Sequence, residues 1–159
     1  MTAVLWGRGR PKTPGLYWVS LEQPWTPAGD RRVSYVGWAY KDCECKRCPR
    51  MELYLYSAGS TPVENLVRDD SQIRYLEIGT CQAETGWRSS PNEAGHWFLR
   101  RDGRDHVVIL RDANSLHGNY LWRDGGSFSG SRSSDGGIWH RMSVPAAPKK
   151  AKTKGARHG

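Results

Sequence analysis

A chain of 159 residues with a net charge of +8 has the length of one domain, which buries roughly two thirds of its unfolded surface. No segment has the length and apolar character of a membrane span, and the first residues lack the apolar run of a secretory signal. We therefore predict an intracellular, cytoplasmic protein that has no membrane partner and whose thiols are reduced.

The positive charge is confined to the two ends of the chain. Residues 1–12 hold three basic residues and residues 145–159 hold five; neither segment holds an acid, and together they account for the whole net charge of +8. This distribution predicts an irregular basic arm over 1–15, a neutral β-rich domain over 16–144, and a disordered Lys-rich tail over 145–159.

The first half of the domain reads as short strands. Period-2 alternation and β-forming residues predict strands over 16–21, 33–40, 51–56 and 72–79. In the third of these, apolar residues alternate with Glu52, Tyr54 and Tyr56, so we expect the two tyrosines on a polar face.

One helix is predicted, over residues 60–71. Thr61 suits the N-cap, Pro62 suits the first helical position, and Glu64 completes a capping box. An apolar stripe at helical spacing follows these residues.

The second half contains three similar segments, at 98–103, 108–113 and 120–125, each of which ends in Arg-Asp and a small residue. Asp102-Gly103 is a strong hairpin signal, so we expect a meander with a second turn near residues 114–118. A flexible Gly/Ser loop over 127–137 and a last strand over 138–144 complete a mostly β fold. The predicted architecture is a small antiparallel barrel or sandwich of eight or nine strands with one short helix and a zinc knuckle.

The cysteines motivate the zinc prediction. Cys43, Cys45 and Cys48 lie within six residues, and Cys81 follows the strand over 72–79. Four thiolates around Zn²⁺ would form a tetrahedral structural site, whose net charge of −2 the basic residues at 41–50 would offset. Three alternatives remain open: unligated buried cysteines, disulfides and an iron–sulfur cluster. His96 is a further candidate, which would replace one thiolate.

Aromatic and basic residues near the cysteines predict a nucleic-acid site. Lys46, Arg47 and Arg50 supply positive charge, while Tyr54 and Tyr56 offer rings on which unpaired bases could stack. The tail adds point charges for phosphates, at Lys149, Lys150, Lys152 and Lys154.

Motifs for catalysis are weak. No Walker phosphate loop is present, so no nucleotide cofactor is expected. The pair Asp105-His106, followed by Asn119, loosely resembles the first two elements of an HNH nuclease, but a Gly/Ser loop follows where that motif needs a helix.

We therefore expect a non-enzymatic binding module for nucleic acid or a nucleoprotein complex, stapled by a structural zinc ion. The alternative is a protein-binding adaptor or inhibitor that uses a surface rich in Trp, Tyr and Arg. A metal-dependent nuclease is the third hypothesis.

Overall fold

The computed structural model of the chain describes residues 5–22, 34–41, 51–56, 60–110, 117–121, 127–131, 136–146 and 148. Within these residues the chain forms eleven strands and two short 3₁₀ helices. The strands are β1 (Gly7–Arg8), β2 (Gly15–Leu21), β3 (Ser34–Tyr40), β4 (Glu52–Tyr56), β5 (Ser60–Pro62), β6 (Ile73–Glu77), β7 (Gly95–Arg101), β8 (Arg104–Leu110), β9 (His117–Leu121), β10 (Ser127–Ser131) and β11 (Ile138–Arg141). The 3₁₀ helices are η1 (Val63–Asn65) and η2 (Asp70–Gln72).

The strands form two antiparallel sheets, which confirms the predicted mostly β fold. Sheet A has six strands in the order β1-β6-β2-β3-β4-β5, and sheet B has five in the order β10-β9-β8-β7-β11. Strands β2 to β5 and β7 to β10 pair with their neighbours in sequence, whereas β6 returns to β2 and β11 returns to β7. Because β6 runs antiparallel to β2, the residues that follow β6 lie near the first residues of β2 and, one strand further, near the last residues of β3.

Apolar clusters cover both faces of each sheet. The inter-sheet core contains side chains from both sheets, namely Leu16, Trp18, Val36, Tyr56, Ile78, Val107, Ile109, Leu121 and Met142. A second core on the other face of sheet A includes Val19 and Leu53, each 0% exposed. A third cluster on the other face of sheet B includes Trp97 and Trp139. Because burying one large apolar side chain contributes about 1.5–3 kcal/mol, these clusters supply most of the driving force for folding.

The predicted helix over 60–71 is wrong, because its residues form strand β5 and the helices η1 and η2. Thr61 pairs with Leu55, and Pro62 has an extended backbone with ψ 139°. The backbone of a residue that precedes proline avoids the α region. Thr61, the predicted N-cap, therefore stays extended and pairs with β4 as part of β5. Glu64 binds Arg10 rather than capping the helix.

Strands also occur where composition predicted irregular chain. Within the predicted basic arm, Gly7 and Arg8 pair with β6. Within the predicted Gly/Ser loop, residues 127–131 pair with β9 as strand β10. The hairpin turn at Asp102-Gly103 is confirmed, and both residues have positive φ, 51° and 73°. The second turn near residues 114–118 falls largely outside the described residues.

Arg10 fastens the N-terminal segment to the opposite side of sheet A. Its side chain, only 7% exposed, forms ion pairs with Glu64 of η1 and Asp70 of η2. It also donates a 2.8 Å hydrogen bond to the carbonyl oxygen of Met51, which precedes β4. One buried guanidinium therefore connects the segment after β1 with residues that flank β4 and β5.

No helix in the part of the chain that the structure describes has the length and apolar character to cross a membrane.

Candidate nucleic-acid interface

Three aromatic rings form a ladder on strands β3 and β4. Strand alternation places Trp38 and Tyr40 on one face of β3, and the sheet register places Tyr54 of β4 directly opposite Trp38. The rings of Trp38 and Tyr40 stack at 4.4 Å between centroids with an angle of 20° between their planes. Tyr40 and Tyr54 stack at 5.9 Å, again with an angle of 20°. We call these three residues the aromatic ladder.

The ladder begins in the core and ends at solvent. Trp38 and Tyr54 pack against the inter-sheet core, and all three ladder residues are half-buried. Packing on one side holds the rings in place, while their remaining surface stays accessible. Rings that are fixed and partly exposed suit stacking with planar ligands.

The basic, cysteine-rich segment is attached at the exposed end of the ladder. Tyr40 is followed by exposed Lys41, and β4 begins at Glu52, so the chain leaves and re-enters sheet A at the ladder. Residues 42–50, with Lys46, Arg47 and Arg50, lie outside the described residues. The tail residues predicted to bind phosphates lie outside them as well, at Lys149, Lys150, Lys152 and Lys154.

Tyr56 differs from its predicted role as a stacking surface. Its side chain is 6% exposed and belongs to the inter-sheet core, so it has little surface for a ligand. Period-2 alternation separates two faces of a strand, but it does not reveal that both faces of sheet A are covered. Tyr54 was expected on a polar face, but it is half-buried and packs against the same core as Tyr56. Its role in binding stays a prediction, and Trp38 and Tyr40 lie beside it. The sequence carried a signal for these two residues, since they share one face of the strand that enters the basic segment.

The chain that leads to Cys81 passes the end of sheet A that carries the ladder. The amide of Ile78 donates a 3.0 Å hydrogen bond to the carbonyl oxygen of Leu16, which itself pairs with Trp38. At about 4.8 Å per strand, Ile78 lies roughly 10 Å from Trp38 across the sheet. Cys81 follows three residues later as a half-buried free thiol. The other predicted zinc ligands, Cys43, Cys45 and Cys48, lie outside the described residues.

The backbone of Cys81 is held by an ion pair of sheet B. Its amide donates a 2.7 Å hydrogen bond to Oδ2 of Asp105, and its carbonyl oxygen accepts a 2.9 Å hydrogen bond from Nη2 of Arg100. Arg100 also binds Asp105 through Nε at 2.8 Å and Nη2 at 3.1 Å. The side-chain hydrogen bond to Asp105 raises the pKa of Arg100, and the negative charge of Asp105 adds to the shift. The guanidinium lies 4.3 Å over the ring of Trp87.

His96 lies in a different part of the molecule. It contacts Trp18 at 5.2 Å between ring centroids, where burial lowers its pKa and the charge of Arg141 lowers it further. Arg100 follows His96 by four positions on β7, which is about 13 Å along a strand. His96 is therefore placed poorly to join Cys81 at one metal ion.

The elements of the weak nuclease motif are also separated. Asp105 is buried in its ion pair with Arg100, whereas the next residue, His106, faces the other side of sheet B. The side chain of Asn119 is outside the described set. Among the residues that the structure describes, no group of three or more His, Cys, Asp and Glu side chains could hold a metal ion.

No protein-family model, no curated protein and no solved structure matches this chain.

Proposed function

We propose that the protein is a non-enzymatic binding module for nucleic acid or a nucleoprotein complex, and that it contacts unpaired bases. The observation that carries the proposal is the aromatic ladder of Trp38, Tyr40 and Tyr54, with stacked rings that are half-buried. Every base has a π-face, so a set of rings of this kind binds single strands with little dependence on sequence.

Electrostatics supports the same proposal. The basic segment with Lys46, Arg47 and Arg50 joins the two strands of the ladder, and the chain ends carry the whole net charge of +8. Basic side chains beside stacking rings would bind the backbone of a strand whose bases lie on the rings. The basic tail would add attraction that depends on salt rather than recognition.

A structural zinc ion remains part of this proposal, with Cys43, Cys45, Cys48 and Cys81 as its ligands. The position of Cys81 supports it, since β6 returns to the end of sheet A where the cysteine-rich segment begins. The neighbouring Arg100 would offset part of the negative charge of a tetrathiolate site. Two finer features also belong to the proposal: the two sheets form a sandwich around the inter-sheet core, and the zinc site forms a knuckle between β3 and β4.

Substitution of Tyr40 tests the proposal. We would measure binding of a labelled single-stranded oligonucleotide by fluorescence anisotropy for the wild type and for Tyr40→Leu. Because a base stacked on an aromatic ring contributes about 1–3 kcal/mol, the variant should bind about 5- to 150-fold more weakly.

Tyr35→Leu is the matched control, because Tyr35 is a half-buried tyrosine of the same strand that packs against the second core instead. It should bind as the wild type does, and melting curves should show that both variants are folded. Equal affinity of all three proteins would refute the stacking role. Half-exposed aromatic rings also suit a protein interface, so loss of co-purifying partners on nuclease treatment would separate nucleic acid from a protein target.

A further inference from the structure

A basic depression lies at the β7–β8 hairpin, on the face of sheet B that is opposite the inter-sheet core. It has a volume of about 500 Å³ and is lined by Arg101, Asp102, Arg104 and His106. The strand register places the depression on this face of sheet B, because His106 stands directly opposite Leu99, which belongs to the third apolar cluster. The depression therefore lies on the face of sheet B that carries the third apolar cluster.

The hairpin brings two like charges together. Arg101 and Arg104 are direct cross-strand partners, and side chains in such positions have Cβ atoms about 4.5–5.5 Å apart. The two-residue turn between them, with positive φ at Asp102 and Gly103, leaves the register little freedom to slip. Like charges directly opposite each other destabilise a sheet.

Little within the described structure offsets this repulsion. Nε of Arg101 lies 3.9 Å from Oδ2 of Asp102, whose side chain is 92% exposed, so the contact is long and well solvated. Arg104 is exposed, and the described residues offer it no carboxylate within ion-pair distance. The adjacent Arg100 differs, because strand alternation directs it to Asp105 on the opposite face.

We propose that this depression binds a phosphate group through Arg101 and Arg104, with His106 as a further hydrogen-bonding group. Guanidinium groups match phosphate oxygens in charge and geometry, and a bound anion would relieve the repulsion between the two arginines. The volume is within the range of small-molecule pockets and exceeds what inorganic phosphate needs, so the phosphate of a nucleotide or of a nucleic-acid strand fits better. The inference goes beyond the proposed stacking role and does not depend on it.

Titration of the full-length protein with inorganic phosphate, followed by amide chemical shifts in ¹⁵N NMR spectra, tests the site. We expect saturable shifts centred on residues 101–106. In Arg104→Gln the apparent dissociation constant should rise at least tenfold, which corresponds to about 1.4 kcal/mol. Arg8→Gln is the matched control, since Arg8 is an exposed arginine on the edge strand of sheet A, and it should keep the wild-type affinity.

Two trinucleotides and inorganic phosphate, used as separate probes, identify the source of the phosphate. Tighter binding of a 5′-phosphorylated trinucleotide than of its 5′-hydroxyl form would show that the site takes a terminal phosphate. Equal binding of the two trinucleotides would show that it takes an internal phosphate, and binding of inorganic phosphate alone would show that it takes a free anion. The spectra themselves report whether each variant is folded. Shifts that are absent or never saturate with any probe, or that are the same in Arg104→Gln and the wild type, would overturn the proposal.

Discussion

Trp38 of β3 stands directly opposite Tyr54 of β4, and Tyr40 stacks on the rings of both. The three rings thus continue the inter-sheet core to the point where the basic, cysteine-rich segment joins the sheet. A surface of this kind combines packing against the core with rings that keep part of their surface accessible to solvent.

Zinc is the first prediction. Protein purified without added metal should contain about one zinc ion per chain, because structural sites of this type bind metal tightly. Cys48→Ser should lose the metal and lower the melting temperature, since binding of the ion stabilises only the folded chain. Elemental analysis and thermal melts provide the measurements. Wild-type protein that contains no metal and melts unchanged in the presence of a chelator would disprove the zinc site.

Substitution of Arg10 should lower the free energy of unfolding, although the residue lies only ten positions from the start of the sequence. In Arg10→Ala the carboxylates of Glu64 and Asp70 lose their shared cation and the carbonyl of Met51 loses a donor. Because the partners are about one third to one half exposed, we discount the cost of a broken buried ion pair and expect a loss of about 2 kcal/mol. Urea denaturation measures it. Arg8→Ala, at an exposed position on β1, should change stability by less than about 0.5 kcal/mol.

His96 should make stability depend on pH below neutrality. Burial holds its pKa below the ordinary value, and Arg141 lowers it further, so the unfolded state binds more protons than the folded state below about pH 6.5. The contribution of neutral His96 to the free energy of unfolding should therefore be fully present above that pH. It should decrease as the pH drops towards the pKa of His96 in the folded state, by at most about 1.4 kcal/mol per pH unit.

Denaturation of His96→Gln between pH 5 and pH 8 tests this dependence. The variant should show a shallower slope than the wild type between pH 5 and pH 6.5, while the two slopes agree between pH 7 and pH 8. Parallel curves over the whole range would contradict the assignment to His96.

Much of the β-structure could be predicted from the sequence, because local pattern determines it. Alternation predicted β2, β3, β4, β6 and β11 close to their observed positions, and Asp102-Gly103 identified a turn that needs two residues with positive φ. The mostly β fold follows from these elements.

Other features could not be predicted, because tertiary context decided them. Residues 60–62 pair as strand β5, and Glu64 binds Arg10, which lies fifty-four positions earlier in the chain, so a local capping pattern was misleading. Strand β10 forms from a Ser/Gly-rich sequence because β9 offers a free edge. Tyr56 is buried in a cluster that also contains Val107, Ile109 and Leu121 of sheet B, which no pattern within β4 could reveal.

The basic tail should supply affinity that depends on salt. Residues 145–159 carry five basic residues and no acid, and each phosphate contact adds about −0.7 to the slope of log K against log salt for single strands. Deleting the tail should therefore flatten this slope by up to about 3 to 4, while discrimination between oligonucleotides survives in the folded part. Titrations of intact and truncated protein at several salt concentrations measure it. Equal slopes for the intact and the truncated protein would show that the tail does not contact the nucleic acid.

The central claim is that the aromatic ladder binds unpaired bases. The most direct measurement compares the dissociation constants of the wild-type protein for a labelled single strand and for the duplex of the same sequence, at low salt. Bases in a duplex are already stacked and cannot lie on Trp38, Tyr40 and Tyr54, so the single strand should bind more tightly. Equal or tighter binding of the duplex, or no binding of either at low salt, would contradict the claim.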